Sequence, residues 1–94
     1  MNYYTYILFS PSRYQYYVGH SHEPPECTIC QHNEGKRIIT KKGIPWQLVF
    51  SKQFENCLES HLLTRKLQNV KSRKLLRYLI DYLKHKDHKL MIKT

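Results

Sequence analysis

The sequence contains few acidic residues and little glycine, proline or cysteine. Its 94 residues include seven Asp and Glu, three Gly, four Pro and three Cys. Such low glycine and proline excludes collagen-like and low-complexity chains, and three cysteines are too few for the disulfide scaffold of a small secreted protein. A membrane-spanning run of about 18 apolar residues is missing, as is a signal peptide with a basic start and a long apolar segment. We expect a cytoplasmic protein with reduced cysteines and no membrane partner.

Positive charge dominates what is present. Sixteen Lys and Arg give a formal net charge of +9, while the 40% of apolar residues suffices for one folded domain. Residues 60–94 hold ten Lys or Arg and only Asp81 and Asp87 as acids, whereas six of the eight tyrosines lie in the first 17 residues. This one-sided charge indicates a polyanionic partner, and we expect nucleic acid rather than an anionic membrane.

Aromatic and β-branched segments predict three strands. Residues 3–9 and 14–18 have this character, and the turn Ser10-Pro11-Ser12-Arg13 between them indicates a hairpin. Residues 46–50 predict a third strand, which Trp46 anchors in the core.

Capping signals predict three helices. Pro24-Pro25 and Gly35 favour a helix over residues 25–33, Asn56 begins a second that ends near Val70, and Ser72 caps a third. Apolar residues at helical spacing predict the buried faces of the last two helices. These residues are Leu58, Leu62, Leu63, Leu67 and Val70, then Leu75, Leu76, Leu79, Ile80 and Leu83. The prediction is one α+β domain of order ββαβαα over residues 1–84, followed by a basic C-terminal tail over residues 85–94.

Six short blocks follow one another in the order of a known family's signatures. They are Tyr4-Thr5-Tyr6, Tyr17-Val18-Gly19, residues 31–35, residues 40–43, residues 45–50, and Lys71-Ser72-Arg73 ahead of Leu79-Ile80. Together they resemble the GIY-YIG nuclease family, in particular its small stand-alone bacterial members, from residue 3 to about residue 84. The resemblance implies a three-stranded antiparallel sheet flanked by helices, in agreement with the predicted elements.

The resemblance also implies a site for hydrolysis of a DNA phosphodiester. In the family, two tyrosines, an arginine and a histidine act with a glutamate that holds one divalent cation. Tyr6 and Tyr17 match the tyrosines, and His32 matches the histidine. A tyrosine can help to deprotonate the nucleophile, the arginine neutralises charge on the phosphate, and Mg²⁺ or Mn²⁺ acts as a Lewis acid.

Two of the matched positions lack the functional group that hydrolysis requires. Thr28 stands where the arginine is expected, and Thr64 stands where the metal-binding glutamate is expected. A hard divalent cation needs carboxylate oxygens, and each missing group is worth roughly 10²–10³ in rate by analogy with oxyanion-hole deletions. We therefore expect an inactive domain that binds DNA without a cofactor; the alternative is an active metal-dependent DNA endonuclease with a non-standard site.

Basic residues beside the matched blocks are candidate phosphate contacts. These positions carry more positive charge than the few acidic residues of the helices can neutralise by ion pairing. The candidates are Lys41, Lys42, Lys71, Arg73, Lys74 and Arg77.

A further alternative is a metal-pinned protein-interaction domain. The pattern Cys27-x-x-Cys30-x-His32, with His20 and His22 upstream, has the ligand types of a zinc site. Zinc frameworks usually add a ligand pair from a distant segment, and the one remote thiol belongs to a different predicted helix. We therefore expect no bound metal and unliganded thiols.

Overall fold

Three strands form one antiparallel sheet in the computed structural model, which describes residues 2–93 and the side chains of residues 2–85. The strands are β1 (Tyr3–Ser10), β2 (Gln15–Ser21) and β3 (Gln47–Phe54). Their order is β2-β1-β3, so β1 is central and pairs with both neighbours. The helices are α1 (Pro25–Asn33), α2 (Cys57–Gln68) and α3 (Arg73–Lys93). This arrangement confirms the predicted α+β class and the order ββαβαα.

The hairpin between β1 and β2 differs from the prediction at both ends of β2. Tyr14 lies in the turn with a φ of 55°, a left-handed conformation that ends strand pairing at Ser10 and Gln15. At its other end β2 continues to Ser21, because His20 and Ser21 pair with the first residues of β1. The strand is therefore shifted along the chain from the predicted residues 14–18.

Helix α1 has the predicted bounds. Its end is a Schellman motif, in which the N–H of Lys36 donates to the carbonyl of Gln31 and the N–H of Gly35 donates to the carbonyl of His32. Gly35 has a φ of 77°, which a residue without a Cβ adopts without strain. The chain then turns back toward β3 through a short 3₁₀ helix, Lys41–Gly43.

The sheet carries a core on each face because side chains of a strand alternate in direction. On one face Ile7, Val18 and Phe50 pack with residues of α2 and α3. On the other face Tyr6 and Leu8 pack with Trp46, which is 6% exposed, as the sequence predicts for this residue.

The predicted leucine face of α2 is only partly correct. Leu58 and Leu62 are 62% and 50% exposed, whereas the buried side of the helix carries Ser60, Thr64 and Leu67. Hydroxyls can occupy this buried side because the Ser60 and Thr64 hydroxyls each hydrogen-bond to the Thr5 hydroxyl of β1, and the Thr64 hydroxyl also donates to the carbonyl of Ser60.

Helix α3 begins where the sequence predicts. The Ser72 Oγ accepts a hydrogen bond from the N–H of Leu75, and Leu76 and Ile80 are buried, although Leu75 is 50% exposed. The tail predicted for residues 85–94 lies, apart from His85, outside the residues whose side chains are described. Within the described chain, no helix combines the length and the apolar character needed to cross a membrane.

Candidate functional site

Three of the residues matched by resemblance meet on one face of the sheet. The Tyr6 Oη lies 3.2 Å from the His32 Nε2, and the His32 Nδ1 lies 2.7 Å from the Thr40 Oγ1. The Tyr17 ring centroid lies 5.2 Å from that of His32 and 6.4 Å from that of Tyr6. The structure therefore brings Tyr6, Tyr17 and His32 into one cluster, with Thr40 as a partner that the sequence analysis did not identify.

The hydrogen bonds of this cluster favour one tautomer of His32. The Thr40 hydroxyl donates to the carbonyl of Arg37 at 3.5 Å, so its oxygen is left to accept from His32 Nδ1–H. The His32 Nε2 then accepts from the Tyr6 hydroxyl. Both rings are neutral in this arrangement.

Burial keeps both groups neutral near pH 7. Desolvation, with a smaller contribution from Tyr17, raises the pKa of Tyr6 to about 12. Desolvation also lowers the pKa of His32, and the positive charge of Arg37 lowers it further. A tyrosine with so high a pKa is a poor general base near pH 7, because the phenolate is scarcely populated.

Gly19 allows the two tyrosines to approach each other beside β2. A Cβ at this position would lie 2.6 Å from the Tyr6 Oη and 3.1 Å from the Tyr17 Cε2. The matched block Tyr17-Val18-Gly19 therefore needs glycine for close packing against Tyr6.

The two threonines at the altered positions are buried and are bonded within their own helices. The Thr28 hydroxyl donates to the carbonyl of Pro24, and the Thr64 hydroxyl donates to the carbonyl of Ser60. Thr28 is 2% exposed and Thr64 is 1% exposed. Each hydroxyl thus bonds to the carbonyl four residues earlier in the chain.

Thr64 lies on the opposite face of the sheet from Tyr6. Its Oγ1 is 3.0 Å from the Oγ1 of Thr5, and Thr5 and Tyr6 are successive residues of β1 that point to opposite faces. The residues present therefore do not fit the divalent cation that the resemblance implies at position 64. They offer neutral hydroxyls that already bond to one another, whereas Mg²⁺ or Mn²⁺ needs carboxylate oxygens and room for water.

The candidate zinc ligands do not come together in the structure. Cys27, Cys30 and Cys57 are free and exposed, while His32 is fully buried and bonded to Tyr6 and Thr40. The ring of His20 packs edge-on against that of His61 on α2, with centroids 5.3 Å apart. Among residues 2–85, no group of three or more His, Cys, Asp or Glu could hold a metal ion, so Cys27, Cys30, His20, His22 and His32 form no common site.

A basic groove runs along the free edge of β2 and connects the two faces of the sheet. It encloses about 670 Å³, and its cations come from three segments: Arg13 in the hairpin turn, Lys42 in the 3₁₀ helix, and Lys71 with Arg73 at the start of α3. Tyr16, Tyr17 and Trp46 supply aromatic surface to the same groove. None of the described residues that line it is acidic.

A second cavity of about 450 Å³ continues the groove along α3. Phe9, Tyr14 and Tyr16 line it together with Arg73, Lys74 and Arg77. The Arg73 Nη1 donates to the carbonyl of Tyr14 at 2.6 Å, and its guanidinium lies 5.5 Å from the centre of the Tyr14 ring. These contacts hold the Arg73 fork at the junction of the two cavities and leave further N–H donors available.

The groove and the second cavity together gather five of the six basic residues predicted to contact phosphate. They are Lys42, Lys71, Arg73, Lys74 and Arg77. Lys41 lies in the same 3₁₀ helix as Lys42 but does not line either cavity. Arg13 also lines the groove, but no motif in the sequence indicates this residue of the hairpin turn.

Arg37 is a further basic residue near the tyrosine cluster that no motif in the sequence indicates. It lines a third cavity of about 420 Å³ with Tyr17 and Thr40, and its charge lowers the pKa of both Tyr6 and His32. A cation therefore lies near the tyrosine cluster, although Thr28 replaces the expected arginine on α1.

The fold is similar to that of a solved protein of comparable length. The solution NMR structure of the UPF0213 protein BH0048 from Bacillus halodurans superimposes with a TM-score of 0.52 at 25% sequence identity, covering 84% of this chain and 83% of that chain. No family model matches the chain, and no curated protein matches it. Over most of its length, this chain therefore shares the α+β fold of a UPF0213 protein.

Proposed function

We propose that this protein is a nucleic-acid-binding domain with the GIY-YIG nuclease fold, which binds the DNA backbone in the basic groove and does not hydrolyse it. The observation that carries the proposal is the convergence of cations from three separate segments on one cavity, whose described lining contains no acidic residue. The six sequence blocks and the likeness to the UPF0213 protein BH0048 support the fold assignment.

The chemistry of the groove suits phosphate. Arg73 is anchored by Tyr14, so its fork loses little freedom when it binds a phosphate oxygen. Helix α3 begins at Arg73, which adds the positive end of a helix dipole to the side-chain charges. Tyr16 and Tyr17 offer ring faces beside these cations, as in other grooves that follow a nucleic-acid strand.

Two features support binding without hydrolysis. The position expected to hold the metal is a buried threonine on the far face of the sheet from the tyrosine cluster. The tyrosine that would assist the nucleophile is neutral and bonded to a neutral histidine. A cluster in this state contributes to folding rather than to proton transfer.

The test compares two variants that remove the same charge from different surfaces. Lys71→Gln/Arg73→Gln removes two cations from the groove, whereas Arg65→Gln/Lys66→Gln removes two exposed cations of α2 that do not line it. Fluorescence anisotropy with a labelled DNA duplex should show at least about a tenfold loss of affinity for the groove variant and a much smaller loss for the control. Equal losses would show that overall charge, and not the groove, determines binding.

A further inference from the structure

The loop between α1 and β3 presents two isoleucines to solvent. Ile38 and Ile39 are 90% and 85% exposed, the highest values among the exposed large hydrophobic residues of the described chain. They occupy a turn that is closed by a bond from the N–H of Lys41 to the carbonyl of Ile38. Leaving two adjacent β-branched apolar side chains in water is unfavourable and marks a contact surface.

The base of this loop is fixed by buried and partly buried hydrogen bonds. The side chain of Asn33 bonds to both the N–H and the carbonyl of Trp46, and the Trp46 indole donates to the carbonyl of Thr40 at 2.7 Å. The Ser10 hydroxyl donates to the carbonyl of Gly43 at 2.6 Å. Thr40, next to Ile39, is itself 2% exposed and bonded to His32. The exposed pair therefore projects from a well-anchored base.

Cations flank the isoleucine pair on both sides. Lys36 and Arg37 precede it, and Lys41 and Lys42 follow it. Glu34 is the acid nearest in the loop, and its carboxylate pairs with Lys36 at 3.1 Å. Ile38 and Ile39 therefore form an apolar tip of the loop between cations. A DNA duplex has the complementary pattern, because its two backbones are anionic and the base pairs stacked between them are apolar.

The tip also lies at the mouth of the basic groove. Ile39 lines the groove together with Lys42, and both isoleucines line the neighbouring cavity with Tyr17. A duplex whose phosphates enter the groove would bring its base steps against the tip. Because Lys42, Lys71 and Arg73 line a groove and not a flat face, they suit a nucleic-acid strand better than a planar membrane surface.

We propose that Ile38 and Ile39 form a wedge that enters between base pairs of a bound DNA duplex and unstacks one step. This inference rests on the proposed function, because the groove must bind the backbone first. Pyrimidine–purine steps are the expected sites of entry, since they unstack and kink most easily.

The test uses a short duplex with 2-aminopurine at a central TA step, because this base becomes more fluorescent when it is unstacked. The wild-type protein should raise the fluorescence at saturation, because one base step is opened. The variant Ile38→Ser/Ile39→Ser should leave the fluorescence unchanged even at protein concentrations that saturate the duplex. Leu58→Ser/Leu62→Ser, which alters two exposed leucines of α2, is the matched control and should behave like the wild type.

The outcomes separate the wedge from the groove. If the wild-type protein binds the duplex without a rise in fluorescence, or the isoleucine variant raises it equally, the wedge is refuted and groove binding stands. If the wild-type protein does not bind the duplex, both proposals fail. If the wild-type protein binds phosphatidylserine vesicles, the isoleucine variant does not, and both give the same duplex fluorescence, the pair is a membrane contact and the wedge is refuted.

Discussion

The buried His32 should make the stability of the protein fall as the pH is lowered. His32 is fully buried between Tyr6 and Thr40, and its pKa is lowered mainly by desolvation. In the unfolded chain the same ring has a pKa near 6.5. Above about pH 6.5 it is neutral in both states and contributes no pH dependence.

Below about pH 6.5 the unfolded chain binds a proton that the folded protein excludes. The free energy of unfolding should then decrease by up to about 1.4 kcal/mol per pH unit until the pH reaches the lowered pKa of the folded state. Because the folded pKa is depressed, this loss appears on acidification and is absent between about pH 7 and pH 8.

Trp46 provides the assay, since it is the one tryptophan and is buried in the core beside Tyr17. Urea unfolding followed by its fluorescence at several values between about pH 5 and pH 7.5 gives the slope. His32→Gln should flatten the slope and lower stability at pH 7.5 by about 1–3 kcal/mol, because Tyr6 and Thr40 lose their common partner. His22→Gln, at an exposed position, is the control. A wild-type slope that is flat, or that survives in His32→Gln, would refute this role for His32.

Three further predictions follow from other contacts. Gly19→Ala should cost about 1–3 kcal/mol in urea unfolding, because its Cβ would lie 2.6 Å from the Tyr6 Oη; unchanged stability would contradict the packing. Thr64→Glu should lower stability by on the order of 3 kcal/mol, while Thr64→Ser retains most of it, because a carboxylate would be buried against Thr5. Since each phosphate contact contributes about −0.9, the six cations that line the two cavities allow a slope of log affinity for DNA against log salt no steeper than about −5. Lys71→Gln/Arg73→Gln should make this slope shallower by about 2, and an unchanged slope would show that the phosphates bind elsewhere.

Local signals in the sequence were sufficient for the element order. The bounds of α1 were predicted because Pro25 and Gly35 have backbone preferences that act without tertiary contacts. The buried side of α2 could not be predicted in the same way. Ser60 and Thr64 appear polar in the sequence, and they become core residues only because Thr5, more than fifty residues away in the chain, supplies hydrogen-bond partners.

The candidate site was predictable where residues carry a motif and not where only the fold joins them. Tyr6, Tyr17 and His32 belong to recognisable blocks, and the structure places them in one cluster. Thr40, Arg13 and Arg37 reach the site from loops, whose residues have no periodic pattern to indicate where they point. Thr64 lies on the face of the sheet to which Thr5 points, and this depends on how α2 packs against β1, which the composition of α2 does not reveal.

We propose that the groove binds DNA and that the tyrosine cluster does not cut it. The most direct measurement follows binding and nicking of supercoiled plasmid in the same samples, with Mg²⁺ or Mn²⁺ present and with EDTA as the control. We predict saturable, salt-sensitive binding and no metal-dependent conversion to nicked or linear plasmid. Metal-dependent nicking that is lost in both Tyr17→Phe and Arg37→Gln would contradict the account and would identify an active endonuclease in which Arg37 replaces the missing arginine.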